Sequence, residues 1–559
     1  MSNFKLEGTG VWFYPPSTGA SLPPEWVCSY LKVIAVTKDD RGENFGRLLE
    51  IVDVDKCIHT FAMPMKMLAG DSSAIREILF SKGLLMSSTS KARGQLTQYL
   101  QEMLPSKRIL CVDKTGWFRN AFILPSETIG TSKEECVYQS DSLLPSIYEE
   151  RGSLEEWMHG IAAICKDNSR LIFSVSCAFA GPLLEPLNVE GGGFHFYGPS
   201  SRGKTTLLRV AASVFGGDGF FLTWRSTANA LESSCVQHND SLMVLDELAQ
   251  ITPEHASECS YMVANGQGKS RSTKQGDAKA SKLWRCLFLS TGEITLAQHL
   301  KQGKKEIKTG QEIRVINIPA EAQFGIFDNI FTRYSSTGAE LSDYFKEACR
   351  SFYGVAGKEF LRKLVSNRDS SIEEARKIIE GFIQKFSQKN HSQLHRVIKR
   401  FALVAAGGIL AGRFGIVAWD EDEVIWAIEA CLNAYLATTG DYSLKEERQV
   451  LSAIKGFLEK HASSRLAFEG VDAQKIYNQA GFIKKIDGRE IYCIFQETFK
   501  NELCNGEVGF IIKVLAEKKW LIRDSENSPT KSVRISSFNN GEPTRFYCLD
   551  VGNVFSGEL

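Results

Sequence analysis

Eight residues, Gly198-Pro199-Ser200-Ser201-Arg202-Gly203-Lys204-Thr205, constrain this chain more than any others. They follow an apolar run from Gly193 to Tyr197 and precede a helical run from Thr206 through Leu207, Leu208 and Val210. The stretch therefore reads as strand, phosphate-binding loop, helix, with the Walker A spacing G-x-x-x-x-G-K-[ST]. Gly198 and Gly203 permit backbone angles that a Cβ forbids, so successive N–H groups can turn toward phosphate oxygens. Lys204 reaches the β- and γ-phosphates and Thr205 offers a hydroxyl to Mg²⁺. The helix N-terminus that begins at Thr206 adds its partial positive charge. Residues Gly198 to Thr206 are thus the expected site for ATP and Mg²⁺.

A second apolar strand, Ser241-Leu242-Met243-Val244-Leu245-Asp246-Glu247, follows about forty residues on and has the Walker B pattern. In a parallel α/β sheet the carboxyl ends of the strands lie together. That places Asp246 as the Mg²⁺ carboxylate, acting through water, and Glu247 as the general base that polarises the attacking water. A third strand, Trp284 to Thr291, ends in hydroxyls, and in an additional-strand ATPase it lies between the two Walker strands. Ser290 or Thr291 is expected to sense the γ-phosphate there, with Ser290 taken as the catalytic candidate. Arg314 begins a fourth strand, Ile313 to Pro319, and is the candidate arginine finger for a neighbouring subunit's nucleotide.

From Asn265 to Arg314 eleven basic residues face four acidic ones, an excess of seven in a chain whose formal net charge is zero. Loops beside the sensor strand would point to the centre of a ring. Lys269, Arg271 and Lys274 are the candidate contacts to nucleic-acid phosphates. Three helices, Ile372 to Phe386, Leu394 to Ala411 and Asp420 to Ala437, read as an all-α lid. Within the second, Arg396 or Arg400 is the candidate second sensor of the nucleotide.

At 559 residues the chain is too long for one core. Four pieces are expected: an α+β N-terminal domain (1–150), an ATPase core (151–345), the helical lid (346–440) and a C-terminal domain (441–559). The first shows a hairpin between Tyr30–Val36 and Gly46–Val52, then helices around Ser73 to Phe80 and Ala92 to Met103. Trp117 is expected in the core. Ser153 and Glu156 form a capping box before two apolar helices that pack on the ATPase core. The last domain reads as short helices, around Asp472 to Gln479, Glu497 to Leu503 and Val508 to Lys518, followed by a small hairpin, a winged-helix-like arrangement. The fourteen Cys contain no CxxC pair, which points to reduced thiols. The N-terminus lacks a signal peptide's apolar region, and no apolar run is long enough to span a bilayer. A cytoplasmic protein without membrane contact is expected.

With these residues in hand, the chain resembles the bacterial and phage family catalogued as domain of unknown function 927. The shared pattern comprises Gly116-Trp117, Gly193-Phe194-His195, Thr223-Trp224-Arg225-Ser226-Thr227-Ala228-Asn229-Ala230-Leu231-Glu232 and His238-Asn239-Asp240. It continues through Ala264 to Lys269, Ser290-Thr291-Gly292-Glu293 and Gln311-Glu312-Ile313-Arg314, so the likeness covers about residues 25 to 415. Members of that family resemble the MCM-like AAA+ helicases of mobile elements and prophages. The resemblance implies an α/β AAA+ P-loop core, a hexameric ring, single-stranded DNA in its channel, unwinding, and replication partners. It also makes residues 265 to 284 the helix and hairpin inserted before the sensor strand. The chain departs from the MCM pattern in lacking an Asn at the sensor position, a Ser-Arg-Phe finger signature and N-terminal zinc cysteines. The competing reading is an AAA+ ATPase that remodels or signals through protein partners, for instance in phage defence, without unwinding.

Overall fold

In a computed structural model of the protein, the described residues are all except 1, 9, 17–21, 132–133, 141–145, 270, 273–277, 280, 304–313, 387–391, 440–441, 470–475, 505–507, 526–527 and 557–559. The chain divides into two compact units, Met1–Thr438 and Thr439–Leu559.

The first unit is built on a five-stranded sheet in the order Phe221–Thr223, Ser241–Asp246, Cys286–Gly292, Gly192–Tyr197, Val315–Pro319. Every neighbouring pair is parallel. Tyr197 is level with both Gly292 and Pro319, and Leu245 with Ser290, so the carboxyl ends share one edge. The third strand of the sequence reading lies between the two Walker strands, where it was expected. These strands are almost continuously apolar because helices cover both faces. On one face Phe173 of helix Ser169–Ala180 meets Phe194 edge-on at 4.9 Å between ring centroids, and Phe401 meets Phe194 at 5.2 Å. On the other, Leu231, Cys235, Cys259, Met262 and Val263 pack with Met243 and Phe288.

The helices expected as a separate lid are Arg368–Phe386, Ser392–Arg413 and Glu421–Thr439, and two further helices, Gly338–Ser351 and Val355–Ser366, precede them. They belong to the same compact unit as the sheet. The reason lies in the middle helix, which is buried continuously from Phe401 to Ala411. Such a helix is stable only inside a core. A Cβ on Gly407 would lie 2.6 Å from the Ala180 backbone nitrogen, so glycine there sets how closely this helix approaches Ser169–Ala180.

The N-terminal region likewise joins that unit. Its main sheet runs Cys136–Tyr138, Arg108–Val112, Leu31–Lys38, Gly46–Val52, Ile58–Pro64, and contains the expected hairpin as the antiparallel pair Leu31–Lys38 and Gly46–Val52. Helices Ser73–Ser81 and Ser90–Glu102 cover it. The tie to the rest is the Gly116-Trp117 turn. The Trp117 backbone N–H donates to Asp240 Oδ2 at 3.1 Å, its indole N–H to the Pro182 carbonyl at 2.7 Å, and Asn239 Nδ2 to the Thr115 carbonyl at 2.8 Å. Trp117 is buried, as expected of a core residue. Ser153 and Glu156 form the expected capping box, although the segment beyond it is a single α-turn, Leu154–Trp157, followed by π and 3₁₀ turns to Cys165.

The second unit holds helix Tyr442–Arg465, shorter helical segments around Gln496–Leu503, helix Val508–Glu517, and a six-stranded sheet. It has more sheet than the sequence reading gave it. Gly481–Ile486 and Arg489–Ile494 form an antiparallel hairpin around Asp487-Gly488, and the second of these strands pairs with Thr544–Asp550. Residues 476–479, read from sequence as part of a helix, are not helical, and residues 472–475 of that expected helix lie outside the described residues. Among the described residues no helix is long and apolar enough to cross a membrane.

Candidate nucleotide site

The phosphate loop joins the end of strand Gly192–Tyr197 to helix Lys204–Ala212. Gly203 adopts φ +89 and Ser201 φ +62, the left-handed angles that fold successive N–H groups toward one side. The Lys204 and Thr205 N–H groups, at the start of the helix, have no acceptor within it, whereas Thr206 N–H donates to the Gly203 carbonyl at 2.8 Å. Lys204 Nζ donates to the loop's own carbonyls, Gly198 O at 2.8 Å and Pro199 O at 2.6 Å, so the ammonium is already held over the cradle. Burial lowers the Lys204 pKa, and the carboxylates of Glu293, Asp246, Glu247 and Glu321 oppose that shift. Arg202 pairs with Glu321 at 3.2 Å, and the Arg202 carbonyl accepts from Ile326 N–H at 3.3 Å, which seats the segment after the last strand against the loop.

Asp246 is gripped from two sides. Thr205 Oγ1 donates to its Oδ2 at 3.1 Å, and Thr291 Oγ1 donates to its Oδ1. The structure thus joins Lys204, Thr205 and Asp246 at the carboxyl edge of the sheet. Glu247 follows in the left-handed region, φ +53, with its exposed carboxylate accepting from Gln250 Nε2. A non-glycine residue held at that angle costs about 1 kcal/mol or more, a strain that proteins retain mostly at functional positions. A nucleoside triphosphate with Mg²⁺ fits this donor set: a lysine and backbone N–H groups for phosphate, a hydroxyl and a carboxylate for the ion.

Other candidates sit elsewhere. Ser290 points away from the loop: its Oγ accepts from the Trp224 indole N–H at 2.8 Å and lies 3.0 Å from His195 Nδ1, with Ser290 wholly buried. The strand's alternation puts Thr291, not Ser290, on the side of Asp246. Arg314 lies half-buried at the start of strand Val315–Pro319, its guanidinium 5.2 Å over the Tyr261 ring. That is the end of the strand opposite the phosphate loop, about 17 Å away at 3.3 Å per residue. Arg400 is buried, with Nη2 donating to the Gly191 carbonyl at 3.2 Å, again at the amino edge; burial pushes its pKa down to about 10. Arg396 is exposed one turn before Arg400. The structure therefore brings neither Arg314 nor Arg400 to the loop of the same chain. Lys269 is exposed and pairs with Glu258 at 2.5 Å. Arg271 begins a short antiparallel ribbon, Arg271–Ser272 with Ala278–Lys279, after helix Pro253–Asn265, and Lys274 lies outside the described residues. A helix and a hairpin do stand before the sensor strand.

Sequence reasoning offered both Ser290 and Thr291 for the sensor role and preferred Ser290; it missed the roles of Trp224, His195, Glu293 and Glu321. The signal for Thr291 was the alternation of the sensor strand. For Trp224 and His195 it was a polar-capable aromatic or imidazole inside otherwise apolar surroundings, which must find a partner.

The family model described as Domain of unknown function (DUF927) matches residues 4–283, half of the chain. The protein belongs to the DUF927 family. Within that span lie the phosphate loop, Asp246, and the Gly116-Trp117 and His238-Asn239-Asp240 motifs that dock on each other. The DUF927 match begins earlier than the likeness read from the sequence and ends before the sensor strand and Arg314. None of the curated proteins matches this DUF927 chain. A solved structure named "SCCmec type IV Cch - active helicase" shares its fold at TM-score 0.63 and 19% identity, over 100% of this chain and 99% of that one. The apo A form of the NrS-1 C-terminal region (305–718) aligns at TM-score 0.25 and 12% identity, over 66% of this chain and 87% of that one.

Proposed function

We propose that this protein is an ATP-dependent DNA helicase of the AAA+ class, working as a ring, hexameric by likeness to MCM proteins, in replication of a mobile element or prophage. The observation that carries the reading is the clamp on Asp246 by Thr205 and Thr291 beside Lys204. It unites Walker A, Walker B and a third strand inserted between them at one edge of a parallel sheet. The strand order is that of an additional-strand ATPase, which supports the AAA+ assignment. The shared fold with a protein named as an active helicase of an SCCmec element supports the helicase reading over a small-molecule kinase.

In this reading Lys204 and the loop N–H groups bind the phosphates, Thr205 and Asp246 hold Mg²⁺, and Glu247 draws a proton from the attacking water. Mg²⁺ when bound supplies charge neutralisation on the β- and γ-phosphates. Thr291 replaces Ser290 as the sensor. Arg314, too far from its own loop, serves a neighbouring subunit as the arginine finger. Lys269, Arg271 and Lys274, in the segment that carries the ribbon, contact the phosphates of single-stranded DNA. ATP hydrolysis measured with and without single-stranded DNA, together with unwinding of a forked duplex, tests the proposal. Stimulated hydrolysis with strand separation supports it; hydrolysis indifferent to DNA, with no unwinding, favours the protein-remodelling alternative.

A further inference from the structure

A buried chain of hydrogen bonds runs beneath the site. Trp224 Nε1–H donates to Ser290 Oγ at 2.8 Å, Ser290 Oγ lies 3.0 Å from His195 Nδ1, and His195 Nε2 lies 3.0 Å from the Ile294 carbonyl. A carbonyl oxygen only accepts, so the His195 proton is on Nε2, Nδ1 is the acceptor, and the Ser290 hydroxyl donates to it. Trp224 and His195 are 1% exposed and Ser290 is 0% exposed, so each of these polar groups depends on the others.

The chain ends on the turn that leaves the sensor strand. The Gly292 carbonyl accepts from Gly198 N–H at 3.3 Å, and a Cβ on Gly292 would lie 2.9 Å from His195 Cε1. Beyond it, Thr295 and Gln298 form a capping box, and Leu296 N–H donates to Asn317 Oδ1 at 3.2 Å. Residues 292 to 296 are therefore tied to the phosphate-loop strand, to the strand beyond it and to their own helix. On this turn stand Thr291, whose hydroxyl is on Asp246, and Glu293, an exposed carboxylate whose charge acts on Lys204.

We propose that His195 is a positioning residue for the phosphate site: it fastens the Gly292-Glu293-Ile294 turn so that Thr291 stays on Asp246 and Glu293 stays beside the phosphate loop. The inference rests on the reading of the site as an ATPase. His195 touches no substrate, because both ring nitrogens are engaged and the ring is buried. A histidine that only filled the core would affect stability and leave the turnover of folded molecules unchanged.

The test uses the full chain with Mg²⁺ and ATP, folding being checked by circular dichroism and thermal melting. His195→Phe keeps the ring and removes both nitrogens. It should lower kcat about tenfold or more while leaving KM for ATP within about threefold, since a displaced reacting group costs rate rather than ground-state binding. His195→Gln, whose amide reaches the Nε2 position and can donate to Ile294, should recover most of the loss, whereas the shorter His195→Asn should not. In a background carrying both Thr291→Val and Glu293→Gln, His195→Phe should add less than about threefold, because steps of one device do not add. Should His195→Phe not fold, the Gln and Asn pair carries the comparison alone. Wild-type kcat in folded His195→Phe, equal losses in Gln and Asn, or full additivity with the Thr291→Val/Glu293→Gln pair would overturn the inference and leave the ATPase reading intact. A wild-type protein that hydrolyses no nucleotide would overturn that reading, and the inference with it.

Discussion

Thr291 donates its hydroxyl to the carboxylate of Asp246 across the strands Cys286–Gly292 and Ser241–Asp246. Its neighbour Ser290 faces the other side of the sheet and bonds Trp224 and His195. Two adjacent hydroxyls should therefore fail in different ways. Thr291→Val should slow ATP hydrolysis about tenfold or more with little change in melting temperature, by analogy with the loss of one stabilising donor in other enzymes. Ser290→Ala leaves the Trp224 indole and His195 Nδ1 unpaired inside the protein, a cost of about 1–3 kcal/mol. Chemical denaturation and steady-state kinetics of both variants separate the roles; a stable Ser290→Ala, or a fully active Thr291→Val, would reverse them.

The basic run between Asn265 and Arg314 should act on phosphates and carry no sequence information. Replacing Lys269, Arg271 and Lys274 by Ala should weaken single-stranded DNA binding and flatten its salt dependence by about 0.7 in log–log slope for each phosphate that is no longer neutralised. Basal ATP hydrolysis should survive. Fluorescence anisotropy across a salt titration checks this, and an unchanged slope would make the run an ordinary solvated surface.

Gly116 holds φ +94, and a Cβ there would lie 2.6 Å from both Asn239 Nδ2 and Asp240 Oδ2. Gly116→Ala should thus destabilise the protein by about 2–3 kcal/mol, combining backbone strain with loss of the dock between the N-terminal region and the five-stranded parallel sheet. Denaturant unfolding measures it. A change under about 0.5 kcal/mol, typical of neutral surface positions, would contradict the fit described.

Stability should fall in mild acid. Burial pushes both His195 and His238 down to about 4 in the folded protein, whereas an unfolded histidine titrates near 6.5. Between those values the unfolded chain binds more protons than the folded one, so stability is full above about pH 6.5 and is lost as pH falls toward 4. Each histidine contributes a slope of up to about 1.4 kcal/mol per pH unit. Urea midpoints at pH 7.5 and 5 should show the decline, and it should be shallower in His195→Gln.

Much of the site was legible because its chemistry is local in sequence. A lysine after glycine, or two acids ending an apolar strand, carries its meaning in a few residues, and an apolar run ending in hydroxyls marks the third strand. What stayed hidden depended on tertiary contact. Nothing local to Trp117 says that its turn docks on Asp240, and nothing local to Arg400 says that its guanidinium lies beside Gly191 at the wrong edge of the sheet for a nucleotide. The choice between Ser290 and Thr291 turned on which face of one strand looks at Asp246, a matter of register by one residue. The hairpin around Asp487-Gly488 is a different case: the turn signal and flanking β-branched residues were present in the sequence, but the segment between the expected helices carries no strand in the sequence reading.

The loop holding Lys204 should bind ATP, and Glu247 should drive its hydrolysis. Nucleotide binding and steady-state turnover measured side by side in wild type, Lys204→Ala and Glu247→Gln with Mg²⁺ test both. Wild type should bind and hydrolyse ATP, Lys204→Ala should do neither, and Glu247→Gln should bind ATP yet turn it over at least about a hundredfold more slowly. Hydrolysis at the wild-type rate in either variant, or no nucleotide binding by the wild type, would contradict the account.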